Sequence, residues 1–177
     1  YRSFLVTMGH APLLYVHGNH DISYESQPPE GCDCIDGKIV CVNGLRILGL
    51  GGSYMYNRRP HQYTEKQMRL RILRLMRKIR AMGGVDIIVT HAPVAEIGDF
   101  DDPCHRGFKA FRSLMDKYHP KYLVHGHIHL SYYPNLPRIH QYQDTMIINA
   151  CGKDILEIPD PAPNPSPVHR IFPMRRL

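Results

Sequence analysis

The chain has 177 residues, of which 43% are hydrophobic and 21% charged, and its formal net charge is +6. This length suits one domain with a sizeable core, and the composition is that of a soluble globular protein. No run of about 18 apolar residues occurs, so the sequence predicts no membrane span, and no signal peptide is visible. The five cysteines are odd in number and lack zinc-finger spacing, which favours reduced thiols in a cytoplasmic protein.

The first part of the chain is predicted to contain a strand, a loop and a hairpin. Residues 13–17 form an apolar run that is typical of a buried strand. Residues 22–37 are rich in proline and glycine and are predicted to be an irregular loop over a site. The dipeptide Asn43-Gly44 stands between two β-rich runs and predicts a hairpin.

The clearest helix is predicted over residues 64–82. Thr64 is a suitable N-cap, Gln67 occupies the capping-box position, and Gly83 follows the helix. One face is apolar, and we expect the rest to be a solvated basic surface. Binding of nucleic acid or of a membrane is the alternative, weakly supported because no aromatic residues alternate with the charges. The basic residues are Lys66, Arg69, Arg71, Arg74, Arg77, Lys78 and Arg80.

The rest of the chain alternates predicted strands and helices, which indicates an α/β layered domain. A helix is predicted over residues 108–118. Residues 1–158 are predicted to form the domain, and residues 159–177 a proline-rich tail. The further strands are predicted at 85–90, 122–125, 138–143, 145–150 and 154–158.

Three predicted strands end in motifs that contain histidine: "GNHD" at 18–21, "THAP" at 90–93 and "GHIH" at 126–129. In open α/β sheets, ligands bind beyond the carboxyl ends of the strands, so parallel strands would bring these motifs to one rim. Imidazole nitrogens with an amide oxygen suit Mn, Fe, Zn or Co better than a thiolate-type site would. The residues expected to converge are Asn19, His20, His91, His127 and His129.

These motifs, in this order and at strand ends, resemble those of the calcineurin-like metallophosphoesterases over roughly residues 4–158. The resemblance implies a four-layer α/β/β/α sandwich and a phosphoesterase with two divalent transition-metal ions. It further implies that Asn19, His91 and His127 ligate one ion and that His129 helps to hold the other. By the same resemblance, His20 would contact the phosphate and act as general acid, with Asp21 orienting it.

The sequence also departs from the family pattern. An Asp-x-His motif and a Gly-Asp pair, which supply most ligands of the first metal in the family, are absent upstream of residue 13. We expect the chain to lack an N-terminal part of the domain. The alternatives are a half-site without turnover and a non-catalytic metal-binding or protein-binding scaffold on the same fold.

The substrate is expected to be a small phosphorylated compound, hydrolysed as a phosphate mono- or diester. His105 and Arg106 are candidate substrate contacts, because the planar guanidinium suits a phosphate group. The alternative is a surface loop in which Asp101 or Asp102 pairs with the arginine. Nothing in the sequence predicts the oligomeric state.

Overall fold

The computed structural model describes residues 11–132 and 135–159, which form a mixed α/β fold around a six-stranded sheet. Residues 1–10 and 160–177 lie outside the described part, so the predicted boundary between domain and tail stays a prediction. No helix of the described part is long and apolar enough to cross a bilayer. The strands are β1 Leu13–Tyr15, β2 Cys32–Cys34, β3 Lys38–Val42, β4 Leu45–Leu50, β5 Ser53–Tyr54, β6 Gln62–Tyr63, β7 Ile87–Thr90, β8 Tyr122–His125, β9 Ile139–Tyr142 and β10 Thr145–Asn149, and the helices are α1 Glu65–Ala81 and α2 Lys109–Tyr118.

The sheet has the order β3-β4-β7-β8-β10-β9. Its four inner strands run parallel, and the edge strands β3 and β9 are antiparallel to their neighbours. Both helices cover one face of this sheet and contribute to one hydrophobic core. Since β4, β7, β8 and β10 are parallel, their carboxyl ends meet at one edge, where ligands bind in such sheets.

The predicted helix and its cap are confirmed. Thr64 Oγ1 accepts a hydrogen bond from the Gln67 backbone at 3.2 Å, and Gln67 Oε1 accepts one from the Thr64 backbone at 2.8 Å. The buried residues of α1, at helical spacing, are Met68, Ile72, Leu75 and Ile79. They pack on the sheet against residues such as Leu48, Ile88 and Leu123, so burial of this stripe, more than local propensity, holds the helix in place.

The predicted hairpin is also confirmed. Strands β3 and β4 are antiparallel, and Val42 pairs with Leu45 across the turn. Asn43 and Gly44 have φ values of 49° and 81°. Two successive left-handed residues give a turn whose twist matches that of the flanking strands, which is why Asn-Gly is favoured there.

Two local predictions are wrong. Residues 154–158 do not form a strand; Leu156 and Ile158 instead pack against the face of the sheet that the helices leave free. The preceding strand β10 already pairs with β8 and β9, so no adjacent sheet edge is open to this segment. Residues 22–37 are not wholly irregular, since they contain a 3₁₀ helix, Ile22–Glu25, and the strand β2.

Strand β1 lies outside the six-stranded sheet, contrary to the expected arrangement of three strands in one sheet. It pairs in parallel with β2 and is only half-buried. The link to the main sheet comes just beyond the strand, where the His17 carbonyl accepts a hydrogen bond from the Gly52 backbone at 2.7 Å. Gly51 lies so close that an added Cβ would be 2.6 Å from the His17 oxygen.

Arg71 does not belong to the solvated basic face of α1. Its guanidinium donates to Asp36 Oδ1 at 2.5 Å and to the Gly51 carbonyl at 2.9 Å, and it lies 4.2 Å from the centre of the Tyr63 ring. Asp36 Oδ1 also accepts from the Gly51 backbone at 2.5 Å. This clamp fixes the end of β4, and therefore the neighbouring His17, against the helix.

A second ion pair makes stability depend on pH. Arg46 donates to both carboxylate oxygens of Asp86, and both side chains are about three-quarters buried. Hydrogen bonds from Arg46 lower the pKa of Asp86 below its usual value. A carboxyl group with a depressed pKa in the folded state stabilises the fold above its unfolded pKa and loses that contribution on acidification below about pH 4.

We therefore expect Asp86→Asn to lower the free energy of unfolding at pH 7, and the difference from the wild type to shrink by pH 3. Urea unfolding at the two pH values measures this. Asp33→Asn is the control, because Asp33 is exposed on β2 and makes no ion pair among the residues that the structure describes. A difference of the same size at both pH values would contradict the assignment.

Candidate metal centre

The site lies where three segments meet. Strands β7 and β8 are parallel neighbours with Val89 opposite Val124, so the residues that follow them, His91 and His127, emerge at the same edge. The third segment is the turn of residues 18–21 after β1. The contact between His17 and Gly52 brings this turn to the edge although β1 itself is outside the sheet.

Three donor atoms converge there. Asn19 Oδ1 lies 2.9 Å from His91 Nε2, and His127 Nδ1 lies 3.0 Å from the same His91 nitrogen. Asn19 is 2% exposed, so water has little access to its amide. The structure thus brings together three of the four metal ligands expected from the sequence.

The hydrogen bonds fix the protonation of His127. Its Nε2 lies 2.6 Å from the Cys104 carbonyl oxygen. A carbonyl oxygen can only accept, so Nε2 carries the proton and, in the neutral ring, Nδ1 presents a lone pair towards His91. Metal-ligating histidines usually have their second nitrogen held in this way by a carbonyl or carboxylate group.

Both imidazoles are uncharged at neutral pH. Burial, followed by the like charges of His127, His20, His125 and His129, lowers the pKa of His91 to about 3. Burial also lowers the pKa of His127, although the hydrogen bond to the Cys104 carbonyl opposes the shift. Neutral imidazole is the form that binds a metal ion.

The donor set fits a divalent transition metal. His91 Nε2 lies between two acceptors, Asn19 Oδ1 and His127 Nδ1, so in the metal-free protein it carries the proton of both hydrogen bonds. A cation that replaced this proton would meet two imidazole nitrogens and an amide oxygen. Within residues 11–132 and 135–159, no three His, Cys, Asp or Glu side chains form a metal-binding group, and the third donor here is an amide. These residues therefore account for part of the ligand set of one ion.

The turn of residues 18–21 has no room for a side chain at its first position. A Cβ on Gly18 would lie 2.8 Å from His91 Cε1 and 2.9 Å from Asp21 Oδ2. Asp21 Oδ2 accepts a hydrogen bond from the Gly18 backbone at 2.7 Å and so closes the turn. The carboxylate thus shapes the turn that carries Asn19, and its expected effect on His20 stays a prediction.

His20 and His129 are at the exposed border of the site. Both lie close enough for their charges to lower the pKa of His91 and of His127. The His129 ring packs against Tyr132, with 5.8 Å between the ring centres. Neither forms a hydrogen bond with Asn19, His91 or His127, so the roles of general acid and of second-metal ligand stay predictions.

Of the two candidate substrate contacts, His105 lies beside His127 and Arg106 lies over Tyr54. The His105 ring is 5.5 Å from the His127 ring, and its Nδ1 lies 2.9 Å from Asp102 Oδ2. Arg106 donates to the Asp101 carbonyl at 3.2 Å, and its guanidinium lies 5.7 Å from the centre of the Tyr54 ring. The alternative paired Asp101 or Asp102 with the arginine. The Asp102 side chain instead contacts His105, and Asp101 accepts from Arg106 through its backbone carbonyl.

One residue of the site was missed from the sequence. The hydroxyl of Tyr56 lies 3.0 Å from Asn19 Nδ2. Tyr56 follows β4 and β5, and β4 ends at the same edge as β7 because the two strands are parallel. The signal that could have found it is the apolar run of β4. If β4 is read as an inner parallel strand, the residues after Leu50 are expected at the same edge as those after β7.

Comparison with known proteins agrees with this geometry. The family model of the calcineurin-like phosphoesterases matches residues 2–131, so the chain belongs to that family. A solved structure, TT1561 of Thermus thermophilus, is similar to the chain with a TM-score of 0.55 and 14% identity, covering 85% of this chain and 68% of that one. At that identity the likeness concerns the fold alone. No curated protein matched the chain.

Family and fold confirm the predicted class, an α/β protein of the metallophosphoesterase type with a central multi-stranded sheet. The described residues contribute one helical layer and one sheet of the expected sandwich. Membership supports hydrolytic activity of the phosphoesterase type, and enzymes of the family generally use divalent metals.

Proposed function

We propose that this chain hydrolyses a phosphate mono- or diester at a site that holds two divalent transition-metal ions, Mn, Fe, Zn or Co. The observation that carries the proposal is the convergence of Asn19 Oδ1, His91 Nε2 and His127 Nδ1, in which neighbouring donors are no more than 3.0 Å apart. These three residues would hold one ion, and His129 would help to hold the other. Further ligands of that second ion are absent from the motifs quoted above.

The ions supply charge neutralisation for the anionic ester and a hydroxide nucleophile near neutral pH. The protein supplies position. Burial keeps His91 and His127 neutral, and the Cys104 carbonyl fixes which nitrogen of His127 faces the site. A charged imidazole would repel the cation, and a ring nitrogen that carries a proton has no lone pair to bind it.

His20 would protonate the departing oxygen as general acid. It is exposed at the border of the site, where a substrate can reach it, and its charge acts on His91. Asp21 would orient it through the turn that the Gly18 backbone closes. His105, beside His127, and Arg106, over the Tyr54 ring, would contact the phosphate group of a small phosphorylated substrate.

The chain's five cysteines are unpaired, which is compatible with the cytoplasmic location that forms part of this proposal. Nucleic acid remains a weaker candidate ligand. Because Arg71 is bound to Asp36, the basic face of α1 has fewer cations that could contact a polyanion than the sequence predicts.

Metal content and turnover test the proposal together. The purified protein is loaded with Mn²⁺ or Zn²⁺, its metal stoichiometry is measured, and hydrolysis of an aryl phosphate monoester and diester is followed. We expect bound metal and hydrolysis that chelation abolishes and metal restores. Bound metal without turnover of either ester would favour the non-catalytic scaffold, and absence of bound metal would contradict the metal site itself.

A further inference from the structure

The structure assigns a positioning role to Tyr56: its hydroxyl accepts a hydrogen bond from Asn19 Nδ2 and so anchors the amide whose carbonyl oxygen faces the metal site. This inference rests on the proposed function, since it concerns the ligand orientation of that site. Tyr56 is not part of any of the three histidine-containing motifs. It lies 37 positions from Asn19 in the chain, yet its hydroxyl is 3.0 Å from Asn19 Nδ2.

The Asn19 amide has two different ends, and only one is a metal ligand. With Oδ1 directed at His91, Nδ2 must find an acceptor elsewhere, because Asn19 is 2% exposed and water cannot replace a lost partner. The phenolic oxygen of Tyr56 is the partner that the structure provides. A phenolic hydroxyl can also donate, so Tyr56 anchors the amide without choosing its orientation. That choice falls to His91 Nε2, which donates to Asn19 Oδ1 because His127 Nδ1 accepts from the same nitrogen.

The loop that carries Tyr56 is itself fixed. Gln62 Oε1 accepts hydrogen bonds from the backbones of Tyr56 and Asn57, each at 3.1 Å. Gln62 Nε2 donates to Asn57 Oδ1 at 2.7 Å, and the Gln62 side chain is buried. The hydroxyl therefore reaches Asn19 from a backbone whose position does not depend on the site.

Groups that orient a metal ligand in this way usually change metal affinity by about 10-fold to 100-fold when removed. Tyr56→Phe keeps the ring and deletes only the hydroxyl, so it tests the contact without opening a cavity. The matched control is Tyr142→Phe, which deletes a tyrosine hydroxyl that donates to Asp116 at 2.9 Å on the outer side of α2.

Two measurements separate an effect on the position of the Asn19 side chain from an effect on the stability of the whole protein. Calorimetric titration with Mn²⁺ gives the affinity, and the ¹H–¹⁵N spectrum of the metal-free protein reports the Asn19 side-chain amide. We expect Tyr56→Phe to weaken Mn²⁺ binding by about tenfold or more and to shift the Asn19 amide signals. Tyr142→Phe should leave the affinity and those signals unchanged, and both variants should keep the wild-type fold.

Unchanged affinity in Tyr56→Phe would overturn the positioning role while leaving the metal site intact. A wild-type protein that binds no Mn²⁺ would instead overturn the proposed function and this inference with it.

Discussion

Replacing His91 by alanine should remove metal binding and phosphoesterase turnover together. His91 Nε2 is the atom that contacts both Asn19 Oδ1 and His127 Nδ1, at 2.9 and 3.0 Å. Its loss leaves Asn19 and His127 without the ligand between them. We expect turnover to fall by at least about 10²- to 10³-fold, the effect of removing one stabilising group from an active site. Metal analysis and aryl phosphate hydrolysis measure the two effects.

His119→Asn is the control for loss of a histidine. His119 ends α2 with a φ of 46°, a conformation that asparagine also adopts, so the backbone is retained. This variant should keep full metal content and activity. If His91→Ala retained the wild-type metal stoichiometry, the assignment of His91 as a ligand would be wrong.

His20→Ala should produce a different pattern. His20 is exposed at the border of the site and is not among the three converging residues, so metal content should change little. General acid catalysis contributes about 10²- to 10⁴-fold, and mainly where the leaving group is a poor one. We therefore expect an alkyl phosphate to lose much more turnover than an aryl phosphate whose leaving group needs little protonation. Parallel measurements of turnover on the two esters check this.

Equal losses on both esters would contradict the role of general acid, and a loss of metal would instead make His20 a ligand. The control is His140→Ala, a histidine on β9 that is outside the motifs and should leave both rates unchanged.

The meeting of His91 and His127 was predictable from the sequence because local and global patterns coincide at β7 and β8. Each strand is a short apolar run, with His91 directly after β7 and His127 two residues after β8, and the two strands are parallel neighbours. The capping box at Thr64 and the turn at Asn43-Gly44 were predictable for a similar reason, since each depends on residues within four positions. At such places the chemistry of a few residues decides the conformation.

Features that depend on distant partners were not predictable. A strand at 154–158 requires a free sheet edge, and the pairing of β10 on both sides removes it. The contribution of Tyr56 to the site depends on the parallel pairing of β4 with β7, which joins strands that are far apart in the sequence. Arg71 did carry a signal, since it stands three residues after the buried Met68 and four before the buried Leu75, a spacing that places it beside the apolar face.

The position of β1 outside the main sheet has a consequence for how the protein holds together. Asn19 and His91 are 72 positions apart, and the segment that carries Asn19 reaches the sheet mainly through loop contacts such as the one between His17 and Gly52. An ion ligated by both would close this long stretch of chain as a cross-link does, and would stabilise the folded state alone. In the metal-free protein, we expect residues 13–34 to open locally without disrupting the six-stranded sheet, because β1 and β2 pair only with each other. If a metal ion links Asn19 to His91, loading should raise the protection of this segment from proteases and hydrogen exchange more than that of any other described segment.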